Sequence, residues 1–174
     1  RDEVFELVAP FNGSPRTICK TINRYSGTTW GDDHTAIVSD YWWNTRNTKT
    51  YLIDPSTSNQ NPNILFDRNY QDRYNNPGQM PKERGKYGKY VLTIDKGSVF
   101  LVGPGYSKEG QFPFVHKMDL KTQKVTTLYR STFTNKLENL YSYDHKTNSI
   151  LVRIESKNEY PNYYIRPIDN AKPI

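Results

Sequence analysis

Gly27-Thr28-Thr29-Trp30, then a turn from Gly31 to His34 that holds Asp32 and Asp33, then Ala36-Ile37-Val38-Ser39: this stretch decides the fold. Two short runs rich in β-branched residues, divided by an acidic turn, read as an antiparallel strand pair. Thr50-Tyr51-Leu52-Ile53 adds a third strand, and Asp54-Pro55 opens the turn after it. The same grammar returns twice. The second copy has Tyr90-Val91-Leu92-Thr93-Ile94, the turn Asp95-Lys96-Gly97, Val99 to Val102, and Val115 to Met118 before Asp119-Leu120-Lys121-Thr122. The third has Leu140 to Tyr143, a turn from Asp144 to Ser149, Ile150 to Ile154, and Tyr163-Tyr164-Ile165 leading to Asp169-Asn170. Such self-similarity marks repeats that do not bury their apolar faces alone. Four-stranded antiparallel repeats of this kind are the blades of a β-propeller.

Val4 to Val8 and Pro15 to Thr21, split by Pro10-Phe11-Asn12-Gly13-Ser14, read as the last two strands of a further blade. The third copy reaches Ile174 where its fourth strand is due. The expectation is an all-β chain, a partial β-propeller of four-stranded antiparallel blades, two complete and two partial. Residues 1–24 are the end of one blade, 25–68 a blade, 69–88 a connecting loop, 89–131 a blade and 132–174 a partial blade. At about 45 to 60 residues per blade this is roughly half a ring. Any activity is then expected to belong to a larger parent.

Composition excludes several classes. Only 34% of the residues are hydrophobic, yet 14 Tyr, 7 Phe and 3 Trp supply core area suited to a pleated sheet. No apolar run approaches the roughly 18 residues that span a bilayer, so no membrane span is expected. An N-terminal signal pattern is also absent, and a start in mid-blade makes that uninformative about the parent. Cys19 has no second cysteine to pair with. Its place between Ile18 and Lys20 reads as a small buried residue and not a reactive thiol. The net charge of +6 invites a nucleic-acid partner. There is no block of basic residues, zinc-ligand spacing or groove-reading helix to support one, and no nucleic acid is expected.

In an up-and-down blade, the loop between the second and third strands opens on the same face as the connection between consecutive blades. That face receives Tyr41-Trp42-Trp43-Asn44-Thr45-Arg46 and the long segment Asp67 to Gly88, with Arg68, Asp72, Arg73 and Tyr74. The next blade adds Gly103 to Pro113 with Tyr106, Lys108 and Phe112, and then Arg130. Two readings remain open. In one, Asp67 and Asp72 pair with neighbouring arginines to pin a long loop, while Trp42 and Trp43 cap the blade core. In the other, one or more of Arg46, Arg68 and Arg73 is free to meet a carboxylate, which the planar guanidinium binds bidentately.

No catalytic constellation is legible. Gly105-Tyr106-Ser107-Lys108-Glu109-Gly110 is one residue too long for a Gly-x-Ser-x-Gly elbow, and Phe112-Pro113-Phe114 leads into a strand and not a helix. His34, His116 and His145 fall in a turn, a strand and a turn, with no triad neighbour in sequence. Asp32-Asp33-His34 reads as an Asx-type turn before it reads as a metal site, and Asp54 and Asp119 read the same way. Neither a metal nor a cofactor is expected.

The residues nevertheless suggest a family. Phe11-Asn12-Gly13, Ser26-Gly27, Trp30-Gly31-Asp32-Asp33, Tyr41-Trp42-Trp43, Thr45-Arg46, Thr50, Leu65-Phe66-Asp67-Arg68, Asp72-Arg73-Tyr74 and Pro77-Gly78 resemble the propeller of the prolyl oligopeptidase family of serine peptidases, most closely its glutamyl endopeptidase branch. The later Asp119-Leu120-Lys121-Thr122 before Val125 to Tyr129 is a blade ending shared with many propellers. The likeness covers nearly the whole chain, and its specific part is Trp30 to Gly78.

The resemblance implies a parent in which this propeller precedes an α/β-hydrolase domain carrying Ser, Asp and His. The propeller would sit over the active site, screen out large folded substrates and contribute side chains that read the peptide. No position here matches the triad, so no catalytic residue is carried over. The glutamyl branch cleaves after acidic residues, which implies an acidic peptide substrate and makes Arg46, Arg68, Arg73, Trp42 and Trp43 the candidate substrate-binding residues. Members in bacteria are often exported, and those in plants reside in plastids. The rival from another class is a non-enzymatic propeller that binds a protein or glycan through the same aromatic loops.

Overall fold

The computed structural model describes residues 2–169, which form fifteen β-strands and no helix. Two units divide the chain: residues 1–72 with 82–92, and residues 73–81 with 93–174.

The first unit opens with a hairpin, β1 (Glu3–Glu6) on β2 (Arg16–Lys20). A meander follows: β3 (Arg24–Asp32), β4 (Thr35–Trp42), β5 (Asn47–Ile53) and β6 (Asn63–Asn69) lie side by side in chain order. Side chains alternate across a strand, so Ala36, Val38 and Asp40 share one face of β4. Their ladder partners are Ile53, Tyr51 and Lys49. Ala36, Val38, Tyr51 and Ile53 pack with Ile18, Cys19 and Val4 of the hairpin, all but Val4 at 1% exposure or less. Burying each large aliphatic side chain is worth about 1.5–3 kcal/mol, and this shared core joins the hairpin to the four-stranded sheet. Cys19 is therefore a small core residue, as its setting in the sequence suggests. Main-chain bonds strengthen the join, because the β5–β6 loop runs beside β2 with Asn59 N donating to Thr17 O at 2.9 Å and Gln60 N to Ile18 O at 3.2 Å.

Asp40 is wholly buried on that core face. Its carboxylate accepts from Tyr51 Oη at 2.6 Å, Asn23 N at 2.8 Å, Asn23 Nδ2 at 3.1 Å and Lys49 N at 3.0 Å. Four donors replace the water that the charge gives up. Burial, and then the bond to Asp40, push the Tyr51 phenol well above its usual range.

One strand that the sequence does not announce completes this unit. β7 (Lys82–Arg84) pairs with β8 (Tyr90–Leu92). Residues 69–88 were expected to be loop throughout, and the run Lys82-Glu83-Arg84 has no apolar alternation to mark a strand. Tyr90 to Ile94 was expected as one strand and is two. The chain breaks at buried Thr93, whose N–H turns aside to Pro81 O at 3.0 Å, and β9 (Ile94–Asp95) pairs with another partner.

In the second unit, β9, β10 (Ser98–Gly103), β11 (Phe114–Asp119) and β12 (Val125–Arg130) form a second four-stranded antiparallel sheet. Lys96 and Gly97 both have positive φ (50° and 74°) between Asp95 and Ser98, the backbone a tight two-residue hairpin needs. β13 (Leu137–Asp144), β14 (Ser149–Ser156) and β15 (Glu159–Pro167) make a three-stranded sheet. A fourth strand of this copy, expected toward Ile174, lies outside the described residues. Val115 and Tyr129 pack against Ile150, Val152, Ile154 and Ile168. Between the two sheets Glu138 accepts hydrogen bonds from Tyr129 Oη at 2.6 Å and from Arg166 Nη2. Both charges are almost wholly buried. Residues 73–81 join this unit through Gln79, which exchanges both main-chain bonds with Val102 at 2.8 and 2.9 Å.

The protein is thus all-β, built of small antiparallel sheets with no closed barrel among the described residues.

Candidate functional site

Antiparallel alternation sorts the loops of the β3–β6 sheet to two ends. Asp32 to Thr35 and the β5–β6 loop lie at one end, while Arg24, the Trp42-to-Asn47 turn and the exit of β6 at Asn69 lie at the other.

The second end is basic and aromatic. Its turn closes with Arg46 N donating to Trp43 O at 3.3 Å, and Arg46 holds the left-handed backbone at φ 58°. Tyr70 N then donates to Arg46 O at 2.8 Å, fixing the chain that leaves β6. The Arg46 guanidinium lies 3.8 Å over the Trp43 ring, and its Nη1 meets Tyr70 Oη at 3.3 Å. Arg68 Nη1 donates to two main-chain oxygens, of Asn69 at 3.1 Å and Asp72 at 3.2 Å. Neither arginine has a carboxylate partner among the described residues.

The expectation that Asp67 pairs with a neighbouring arginine is corrected. Lys49 stands directly across the ladder from Asp67 and binds it at 2.5 Å, with Asn47 Nδ2 at 2.7 Å. Arg68, one residue on, faces away because side chains alternate. The bond from Lys49, and then that from Asn47, hold the Asp67 carboxyl below the usual carboxylate range. Trp42 and Trp43 do not cap the core as the pinning reading had it. They are 41% and 65% exposed, since Ala36, Val38 and Tyr51 already fill the space beneath β4. Arg73 belongs to the second unit, where its guanidinium lies 4.2 Å from the Tyr106 ring. Tyr70, which sequence reasoning passed over, was marked only by being an aromatic two residues beyond Arg68.

The opposite end is acidic and holds a cleft of about 460 Å³ lined by Glu6, Arg16, Trp30, Asp32, Asp33, Pro55 and Ser56 among others. Arg16 is committed there, paired with Glu6 and donating to Pro55 O at 2.6 Å. Asp32 Oδ1 accepts from His34 N at 2.9 Å, which is the expected Asx turn. Asp54 and Asp119 close turns in the same way, onto Ser56 N at 2.8 Å and Thr122 N at 2.7 Å.

Ser56, His34 and Asp54 meet in space, but they are not a triad. Ser56 Oγ donates to Asp54 Oδ1 at 2.6 Å, and His34 Nδ1 faces both, at 3.3 Å from the hydroxyl and 3.4 Å from the carboxylate. A triad needs one imidazole nitrogen for each partner; here one nitrogen faces both, and the serine hydroxyl donates its hydrogen bond to the acid and not to the imidazole. Among the described residues Ser107 Oγ bonds within its own turn, accepting from Glu109 N and donating to Gly110 O. His116 stacks on Phe114 with centroids 4.1 Å apart, and His145 lies 5.6 Å from Phe100. Among the described residues no three of His, Cys, Asp and Glu gather as metal ligands, and no helix is long and apolar enough to cross a membrane.

No family model matches this chain, and no solved structure does. Two curated plant proteins are similar to it. It is 33% identical over 182 residues to a "Probable glutamyl endopeptidase, chloroplastic" of Oryza sativa subsp. japonica, and 32% identical over 183 residues to the protein of the same name from Arabidopsis thaliana. Each match covers 95% of this chain and 19% of the relative, so the chain spans about a fifth of the length of the curated relatives it matches. The resemblance to glutamyl endopeptidases thus holds along nearly the whole chain, which corresponds to a segment of those larger proteins.

Proposed function

We propose that this chain is a non-catalytic β-propeller segment of a serine peptidase of the prolyl oligopeptidase family, one that gates access to the active site and helps to recognise peptide substrates. The observation that carries the reading is the similarity of 95% of the chain to 19% of two glutamyl endopeptidases. The four-stranded meanders support the propeller, each sheet presenting loops at both ends. The parent's α/β-hydrolase domain supplies the nucleophile, its base and its acid, and hydrolyses peptide bonds after Glu. The contribution of this chain is charge and shape at the approach.

Arg46 and Arg68 suit that task. Each cation is held by an aromatic face or by carbonyl oxygens, which orient it without neutralising it. A substrate carboxylate meeting such a guanidinium in a partly desolvated cleft gains about 1.5–3 kcal/mol, or roughly 10- to 150-fold in kcat/KM. Arg73, stacked on Tyr106, is the third candidate, and Trp42 and Trp43 offer exposed apolar surface beside the charge.

The test uses the full-length polypeptide, with Arg46→Ala, Arg68→Ala and Arg73→Ala assayed on paired peptides carrying Glu or Gln at the cleaved position. At least one variant is expected to lose the preference for Glu. If all three keep wild-type kcat/KM and selectivity, these arginines are loop pins. If the full-length protein hydrolyses neither peptide yet binds one, the chain belongs to a binding propeller.

A further inference from the structure

We propose that the β7–β8 hairpin is a docking tip for an anionic lipid surface. It spans Lys82-Glu83-Arg84-Gly85-Lys86-Tyr87-Gly88-Lys89-Tyr90. Four cations stand against one acid, so this stretch carries +3 of the +6 on the whole chain. The inference is independent of the peptidase reading and concerns none of the residues proposed there.

The geometry presents the charge and does not bury it. Arg84 pairs with Tyr90, Gly85 N donates to Lys89 O at 2.8 Å, and Gly88 N donates to Gly85 O at 3.0 Å, closing a short tip. Gly88 takes φ 73°, and the Arg84 Nη2 lies 3.7 Å from where a Cβ would stand there, which brings this cation back over the tip. Leu92, 2% exposed, roots the hairpin, whereas Tyr87 and Tyr90 are 84% and 73% exposed. Lys82, Arg84, Lys86 and Lys89 are all exposed, and none forms an ion pair among the described residues. Lys86 Nζ lies 5.5 Å from the Tyr87 ring, a contact within the tip itself.

The chemistry favours a lipid surface over an acidic polypeptide. Three of the four cations are lysines, compact hydrated point charges on flexible stems. They suit a diffuse sheet of negative charge, whereas a site that reads individual carboxylates is built from guanidinium forks. Tyrosine rings interleaved with lysines place an amphipathic edge at headgroup depth, where aromatic residues concentrate. Attraction of a basic cluster to anionic lipid adds with each cation and fades within a Debye length. The contact is peripheral and electrostatic, made by side chains at one tip.

The experiment is co-sedimentation of the full-length protein with vesicles of phosphatidylglycerol and, separately, of phosphatidylcholine, across a salt series. The expected result is binding to phosphatidylglycerol alone, weakened by salt. The double variant Lys86→Gln/Lys89→Gln should lose at least about tenfold in binding, and Tyr87→Ser should lose binding at unchanged charge. Circular dichroism and melting of each variant report that the fold is kept, and these exposed positions leave the core untouched. Equal binding to both lipids, no binding to either, or undiminished binding by the double variant overturns the proposal. Binding of a poly-glutamate peptide without binding of phosphatidylglycerol overturns it in favour of an acidic protein partner.

Discussion

The guanidinium of Arg46 lies 3.8 Å above the ring of Trp43, and the same residue holds a left-handed backbone at φ 58°. Side chain and main chain therefore pull stability in opposite directions. A non-glycine residue in that conformation costs about 1–2 kcal/mol, and an exposed cation–π contact returns about 0.5–1 kcal/mol. Arg46→Gly is expected to leave stability within about 1 kcal/mol of wild type, while Arg46→Ala keeps the strain, loses the stack and melts lower. Thermal melts of the two variants check this. A glycine variant far less stable than the alanine one would falsify the opposition.

The buried carboxylate of Asp40 leans on Tyr51 Oη at 2.6 Å. Tyr51→Phe removes one of four donors from a charge with no access to water, at an expected cost of about 1–3 kcal/mol. Asp40→Leu strands the main-chain N–H groups of Asn23 and Lys49 together and should cost more. Denaturant titration of both variants gives the order, and a reversed order would remove the network from the account of the first unit.

Glu138 and Arg166 are a charge pair enclosed between two sheets. Breaking such a pair from one side leaves an uncompensated buried ion, so Arg166→Met is expected to destabilise by about 3–5 kcal/mol. The double replacement Glu138→Leu/Arg166→Met should recover much of that loss. Recovery in a double-mutant cycle distinguishes the ion pair from simple packing.

Gly105 takes φ 60°, and a Cβ there would stand 1.9 Å from Phe112 O. Gly105→Ala therefore forces the loop between β10 and β11 to rearrange, and the Arg73–Tyr106 stack should go with it. Tryptic cleavage after Lys108 is expected to quicken markedly. Unchanged proteolysis would show that the loop accommodates a side chain there.

His116 gives the protein a pH dependence of defined sign. Burial first, and then the nearby Arg130, hold its imidazole below the ordinary 6.5. The unfolded chain thus takes up the proton at higher pH than the folded one, and stability rises with pH between the two values. The stabilising contribution is complete above about pH 6.5 and falls as the solution is acidified below it. His116→Phe, which preserves stacking on Phe114, should flatten that part of the stability profile.

The order of strands was legible in the sequence because β-branched and aromatic runs alternate with Asp-led turns, and both signals are local. Ala36-Ile37-Val38 and Asp32-Asp33-His34 state a strand and a turn without reference to anything distant. The break at Thr93 and the strand Lys82–Arg84 were not legible, because each depends on a partner that only folding brings near: Pro81 O for the first and β8 for the second.

The candidate site divides in the same way. That Arg46, Arg68, Trp42 and Trp43 gather at one end of a sheet follows from strand alternation, which the sequence contains. Which acid meets which base does not follow from it. Lys49 takes Asp67 because the β5–β6 register sets them opposite, and register is settled by packing across the whole sheet. The sequence by itself determined the strand grammar and the kinds of group at each loop. Only the tertiary structure decided that Asp67 is neutralised, that Trp43 supports a cation and caps no core, and that Asp40 lies buried among four donors, because pairing energies depend on distances that no local pattern encodes.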